Sequence, residues 1–330
     1  MAMRFDKRPL SISDQAELLI DRGLICDDEG LLCRYLESAG YYRLSVYWMP
    51  FEYPSEEGCS SRNHKLRPGT TFDQVLELYN FDRRLRLLVM DAIERIEVAL
   101  RSRWSNAMAM RHGSHAYLDD SLFKTRGAYL KDLEQLRDVV EKRANWDFVD
   151  HYYSKYSDPE LPPIWAVVEI MSLGSLSRWL SNTNDTKVMA PISKGMGMPN
   201  VDIFTFVLHN LTFIRNICAH HERLWNRCIR RQLPTIRRLE DAIFTGPSQR
   251  DDGSHVKHQT QLPYNRLVLM AVMMNKISPD SSWGYRLLQH MDTISPLHHA
   301  DMGFPADWRT RKPWVSATRP PADRAPSDGR

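Results

Sequence analysis

The chain has 330 residues, with 44 Lys and Arg against 41 Asp and Glu, a formal net charge of +3. That is room for one large domain or two modest ones. The balance is too slight to require a polyanionic partner by itself, so the distribution of charge matters more than its sum. Cys26, Cys33, Cys59, Cys218 and Cys228 form an odd set with no paired spacing, which argues against a disulfide framework and for reduced thiols in the cytoplasm. The start, MAMRFDKRPLSISDQ, has no apolar signal region, and no window approaches 18 uninterrupted apolar residues. Neither secretion nor a membrane span is expected.

In chain order, Ser11 to Asp14 open a helix through Ala16 to Ile20, and Gly23 ends it. A second helix is expected over Glu29 to Ala39, stopped by Gly40. The run GYYRLSVYWMPF, 40–51, is dense in aromatics. It reads as a packed layer, or else as a stacking platform for unpaired bases built on Tyr41, Tyr42 and Trp48. Residues 54–70 are polar and read as a loop.

The strongest helix covers 72–111, where Leu85, Leu88, Ala92, Ile96 and Ala99 recur at three-four spacing. Asp82 with Arg86, and Glu97 with Arg101, are acid-to-base pairs four residues apart. Further helices are predicted at 127–155, with Leu130, Leu133, Leu136, Val140 and Ala144 inward, and at 163–181, entered by Pro162-Pro163, with Trp165, Val168, Ile170, Met171, Leu176 and Trp179 supplying burial. Gly174 predicts a kink or a close helix contact. The proline- and glycine-bearing stretch 182–200 reads as a loop.

The helix expected over 201–230 carries the chemistry. Val207, Leu211, Ile214 and Cys218 form its apolar stripe. Asn216 and His220, four apart, share the opposite face, and Arg215 lies on the flank, roughly 140° from His220 at about 100° per residue. A guanidinium able to brace a phosphoryl oxygen and an imidazole able to move protons suit phosphate chemistry. Beyond it, 246–261 is expected to be an exposed loop, followed by helices around Leu267 to Ile277 and Trp283 to Ile294 and a disordered tail at 316–330.

The string Arg215-Asn-Ile-Cys-Ala-His220 resembles the R-x4-6-H signature of HEPN ribonucleases. The longer RNICAHHERLWNR resembles abortive-infection (Abi) proteins of the AbiD/AbiF type, a bacterial phage-defence branch of that superfamily. Four more blocks resemble Abi proteins, in order: YLESAGYYRLSVYWMPF, FDRRLRLLVMDAIERIEVALRSRW, the P-x-W-x-x-x-E-x-x-S-x-G-x-L-S run from Pro163, and MGFPADWRTRKPWV. The resemblance implies a mainly α fold with an HEPN-like four-helix bundle core. The periodicity also counts four long helices. The domain plan is then an N-terminal helical and aromatic unit at 1–70, the core at 71–235, a C-terminal helical extension at 236–315, and the tail.

The resemblance further implies a metal-independent, toxin-like endoribonuclease of phage defence, in which Arg215, Asn216 and His220 are catalytic and a homodimer supplies a second set. No cofactor is implied. His221, Arg223, Asn226 and Arg227 would bind RNA or brace the helix. Glu97 and Arg101 either line the groove or act as plain surface pairs. The basic residues Arg223, Arg227, Arg230, Arg231, Arg237 and Arg238 either contact RNA, such as a regulatory non-coding RNA, or form a solvated face. A non-catalytic RNA-binding module is the rival reading. Cys218, His220, His221 and Cys228 are metal-ligand types, but Cys218 points with the core stripe and His220 away from it, so no metal is expected. The chain has no GxxxxGK[ST], GxGxxG or GxSxG, leaving NTP hydrolysis, dinucleotide binding and serine hydrolase chemistry without support.

Overall fold

The computed structural model describes residues 8–54, 62–142, 146–231, 233–249 and 255–317, with backbone alone over 246–249 and 255–259. The fold is mainly α. The chain forms two compact units, Met1–Arg84 and Leu85–Arg330.

In the first unit, α1 (Ile12–Asp21) begins with a reciprocal capping box between Ser11 and Asp14, and α2 (Glu29–Ala39) is capped by the Asp28 side chain. Gly23, at φ +99°, turns the chain after α1. The aromatic run is itself helical, α3 (Tyr41–Trp48) followed by one 3-10 turn over Met49–Phe51. Its rings mostly pack: Tyr47 and Trp48 are buried, and the Tyr47 hydroxyl donates to buried Asp82 Oδ2 at 2.7 Å. Tyr41 sits edge-on to Trp48 and meets Arg22, and Tyr42 alone of the three platform residues is left in solvent. A stacking platform built on Trp48 is therefore excluded by burial.

The 41-residue α4 (Phe72–His112) begins in the first unit and continues into the second. The helix expected at 127–155 is two: α5 (Arg126–Lys142) and α6 (Asp147–Lys155), with Trp146 extended at ψ 133° before α6. The helix expected at 163–181 is also two, α7 (Ile164–Ile170) and α8 (Leu173–Asn182), and Leu130 of α5 and Trp165 of α7, both expected inward, are exposed instead. Ala144 lies outside the described residues. The break is not at Gly174. Met171 is extended, and the Ser172 side chain accepts from the Ser175 N–H to start α8 afresh. Gly174 instead permits close approach, since a Cβ there would lie 3.4 Å from Thr212 Cγ2.

The loop expected at 182–200 contains α9 (Thr186–Gly195), capped by Asp185, with Pro191 inside it. Val188, Met189 and Ile192 are buried at helical spacing, so tertiary burial overrides the proline's breaking tendency. Next comes α10 (Val201–Ala219), eleven residues shorter than expected. The polar stretch after it includes β1 (Thr245–Gln249) and β2 (His255–Gln259), an antiparallel pair where a loop was expected. Their pairing is a backbone hydrogen-bond effect that no apolar alternation announces. Then follow α11 (Tyr264–Ile277), α12 (Trp283–Met291) and α13 (Pro296–Asp301).

The second unit's core is organised around α8 and α10. α8 packs on α10 and α5, and α10 also meets α9 and α11. Trp179 of α8 is surrounded by Trp104, Tyr117, Phe123 and Tyr129. The C-terminal motif becomes an aromatic plug, with Phe304 against Tyr264 at 4.7 Å and Trp308 against Phe304 at 4.9 Å. From residue 318 the expected disordered tail lies outside the described residues. No helix among the described residues is long and apolar enough to cross a membrane.

Candidate functional site

The end of α10 is built by a backbone device. The Glu222 N–H donates to Ile217 O at 2.9 Å and the His221 N–H to Cys218 O at 3.1 Å, the paired bonds of a Schellman motif. His221 takes the left-handed position at φ +58°, where glycine is usual. This is why the helix stops at Ala219 rather than running to 230. His220 becomes its C-cap, with its backbone N–H on Asn216 O at 2.9 Å.

The expected stripe of Val207, Leu211, Ile214 and Cys218 is buried. Asn216, His220 and His221 are exposed, and Arg215 is half-buried. Arg215 Nη1 donates to Asn216 Oδ1 at 3.2 Å. Its partner is thus a neutral carboxamide, and among the described residues no carboxylate pairs with it.

Arg215 opens on a cleft of about 490 Å³ that also takes Glu97, Arg101, Lys142, Glu169 and Arg178 into its wall. Arg101 bonds Glu97 within α4, donates to Met171 O at 2.8 Å and reaches Glu169 Oε2 at 3.4 Å. It thereby ties α4 to the break between α7 and α8. Arg178 is held by Asp132 Oδ1 at 2.5 Å and Gln135 Oε1 at 2.7 Å. Arg101 and Arg178 are therefore already matched to carboxylates. Arg215 and exposed Lys142 are the cations in the wall with no such match among the described residues. His220 does not line this cleft.

A second concavity, of about 620 Å³, is lined by Phe213, Arg223, Arg227, Cys228, Arg230 and Arg231. Four guanidinium groups around one exposed ring make a strongly cationic surface. Arg227 also pairs with Glu222 at 3.2 Å. Leu224 and Trp225 are buried and anchor this segment to the body, with Trp225 edge-on to His298 at 5.4 Å. Asn226 is half-buried.

The segment is fastened by a residue that sequence reading missed. Arg266 is buried, and its guanidinium donates to Ile229 O at 3.3 Å, Arg231 O at 2.5 Å, Thr260 O at 2.8 Å and Leu262 O at 3.2 Å. Burial pulls its pKa down to about 10, so it stays charged at neutral pH. Arg178 and Lys142 were also missed, their only sequence signal being charge on otherwise ordinary amphipathic helices. Glu169 was visible only as the acidic position of the block from Pro163, with no site role assigned to it. Arg237 and Arg238 lie in a 3-10 turn, Arg237–Leu239, outside the lining of both concavities. Among the described residues no three of His, Cys, Asp and Glu gather as a metal site would need.

The molecule is thus a mainly helical protein that presents Arg215, Asn216 and His220 at one helix end, beside two concavities lined with cations. The chain belongs to the Abi-like protein family, whose model matches residues 34–226, more than half of its length and including that helix end. Membership implies an abortive-infection, phage-resistance role. No curated protein and no solved structure matches the chain significantly.

Proposed function

We propose that the chain is an HEPN-type endoribonuclease that restricts phage by cutting RNA without a metal ion, in the cytoplasm. The RNA's own 2′-oxygen attacks the adjacent phosphorus while the P–O5′ bond breaks. A base takes the 2′-hydroxyl proton, and an acid gives one to the departing 5′-oxygen. The products are a 2′,3′-cyclic phosphate and a 5′-hydroxyl. His220 moves the proton, Arg215 stabilises the negative charge that builds on the phosphoryl oxygens, and Asn216 holds Arg215 in place. One chain supplies one such set, and two proton movements call for two, so the working site is shared between two copies of this chain.

The observation that carries this reading is Arg215. It is a guanidinium at the wall of a cleft, oriented by a neutral neighbour and, among the described residues, not paired with a carboxylate. Exposed His220 lies four residues beyond Asn216, on the same helix end. The test is RNA cleavage by wild type, Arg215→Ala and His220→Ala, with chelator present and product ends mapped. Cyclic-phosphate ends from wild type and none from either variant are expected. Loss of activity on chelation alone overturns the metal-free chemistry.

A second reading, non-catalytic RNA binding, is favoured by the four-arginine concavity of Arg223, Arg227, Arg230 and Arg231. It predicts salt-sensitive binding that survives His220→Ala, with no cleavage products. A regulatory non-coding RNA would be bound at the same surface.

A further inference from the structure

The cleft that holds Arg215 shares a wall with a third concavity of different chemistry. This one has a volume of about 630 Å³ and is dominated by rings, with Trp165, Phe148, Tyr152, Tyr156 and His115 in its lining. The shared residue is Glu169, which lines both. Trp165 and Glu169 are the outward residues of α7, one turn apart, so about 6 Å along the axis separates them. The inward residues Ile164, Val167, Val168 and Ile170 are buried and fix that face. α7 thus presents a ring to one concavity and, through Glu169 and its partner Arg101, borders the cationic one.

Two features distinguish the ring-lined concavity from ordinary core. Trp165 is 54% exposed and Tyr156 is 56% exposed, although both border a concave surface that could cover them. The polar groups in it are few and placed. Tyr152 is anchored by its hydroxyl on Pro159 O at 2.6 Å. His115 Nδ1 lies 3.0 Å from Ser114 Oγ. Burial lowers the His115 pKa, against the opposing effects of the Leu161 backbone and Asp158, which favours the neutral imidazole, able to both donate and accept. An aromatic wall with a few polar groups, the carboxylates Asp158 and Glu169 among them, suits a planar heteroaromatic base whose ring and amino N–H groups can donate to acceptors. The adjoining cations suit a phosphate backbone.

We propose that this concavity seats one unstacked base of the RNA strand whose backbone lies in the Arg215 cleft, with Trp165 as the stacking residue. The substrate class is accordingly single-stranded or looped RNA, because a base held in a duplex stack cannot leave it freely. This inference rests on the RNA reading above and adds a base-binding pocket to it.

The experiment measures binding of a labelled single-stranded oligonucleotide made of 2′-O-methyl RNA, which lacks the attacking hydroxyl and cannot be cut. A second probe has the same backbone with its central bases removed. Trp165→Ala is expected to weaken the complete oligonucleotide roughly 10-fold and leave the abasic one unchanged, with Trp165→Phe restoring most of the loss. Arg215→Ala should weaken both probes alike. Thermal melting of each variant checks that it is folded, and Trp165 is exposed enough for its removal to be tolerated. Equal loss on both probes, or no loss on either, overturns the pocket while leaving RNA cleavage intact. Absence of wild-type binding to any RNA overturns the RNA reading itself. A nucleoside monophosphate that competes as well as the strand shows a free nucleotide to be the occupant and overturns the strand assignment.

Discussion

Arg215 Nη1 donates to Asn216 Oδ1 at 3.2 Å, so two neighbours in sequence, on different faces of α10, meet through the length of one side chain. The carboxamide orients the guanidinium without cancelling its charge. Under the ribonuclease reading, Arg215→Ala should lower kcat by ~10²–10³-fold and His220→Ala by ~10²–10⁴-fold. Arg215→Lys should recover little, since an ammonium lacks the planar fork. Asn216→Ala should fall between wild type and Arg215→Ala. Single-turnover cleavage of a labelled RNA distinguishes these, and an Arg215→Ala enzyme of wild-type rate would sink the assignment.

His221 offers a separation of fold from function. A non-glycine residue at φ +58° costs roughly 1 kcal/mol. His221→Gly should therefore raise the unfolding free energy by about 1 kcal/mol in urea titration. If the imidazole also touches RNA, the same variant binds RNA more weakly while folding better. A destabilised glycine variant would show that the side chain's other contacts outweigh the backbone cost.

Asp185 predicts an acid limb to stability. Burial tends to raise its pKa, but His112 and Arg111 outweigh that and hold the carboxyl down to about 2 from an ordinary 3.8. A depressed carboxyl stabilises the fold above its unfolded pKa and loses that contribution as pH falls through the folded one. The loss should therefore fall between about pH 4 and pH 2. Asp185→Asn should flatten that limb while retaining an oxygen to cap α9 through the Lys187 N–H. Asp185→Ala should lose the cap as well, about 1 kcal/mol more at neutral pH. Urea midpoints at a series of pH values give both numbers.

The four-arginine concavity should register in salt dependence. If Arg223, Arg227, Arg230 and Arg231 contact the backbone of single-stranded RNA, each alanine replacement should reduce the slope of log Kobs against log salt by about 0.7. An unchanged slope across all four would make them a solvated face.

Arg266 should matter more than any surface arginine. Arg266→Met fits the space but strips a donor from four backbone carbonyls, at a cost of roughly 2–4 kcal/mol. Since two of those carbonyls belong to Ile229 and Arg231, RNA affinity should fall with stability. Wild-type affinity in a destabilised variant would show that the segment keeps its shape without the clasp.

By itself the sequence determined the helical class, the capped start of α1, the span of α2 and its stop at Gly40, the length of α4 and the apolar stripe of α10, because each is written in local spacing, caps and breakers. The family was legible in ordered blocks such as RNICAHHERLWNR. Tertiary structure alone decided where helices stop and what their charges meet. Two expected helices are each broken in two, because Trp146 and Met171 are extended where helical periodicity continues through them. α9 forms across Pro191 because its apolar side is buried. α10 ends at Ala219 because one histidine accepts a left-handed turn. Glu97, Arg101 and Arg215 share one cleft wall through the packing of separate helices, a relation between residues more than a hundred positions apart that no local pattern encodes.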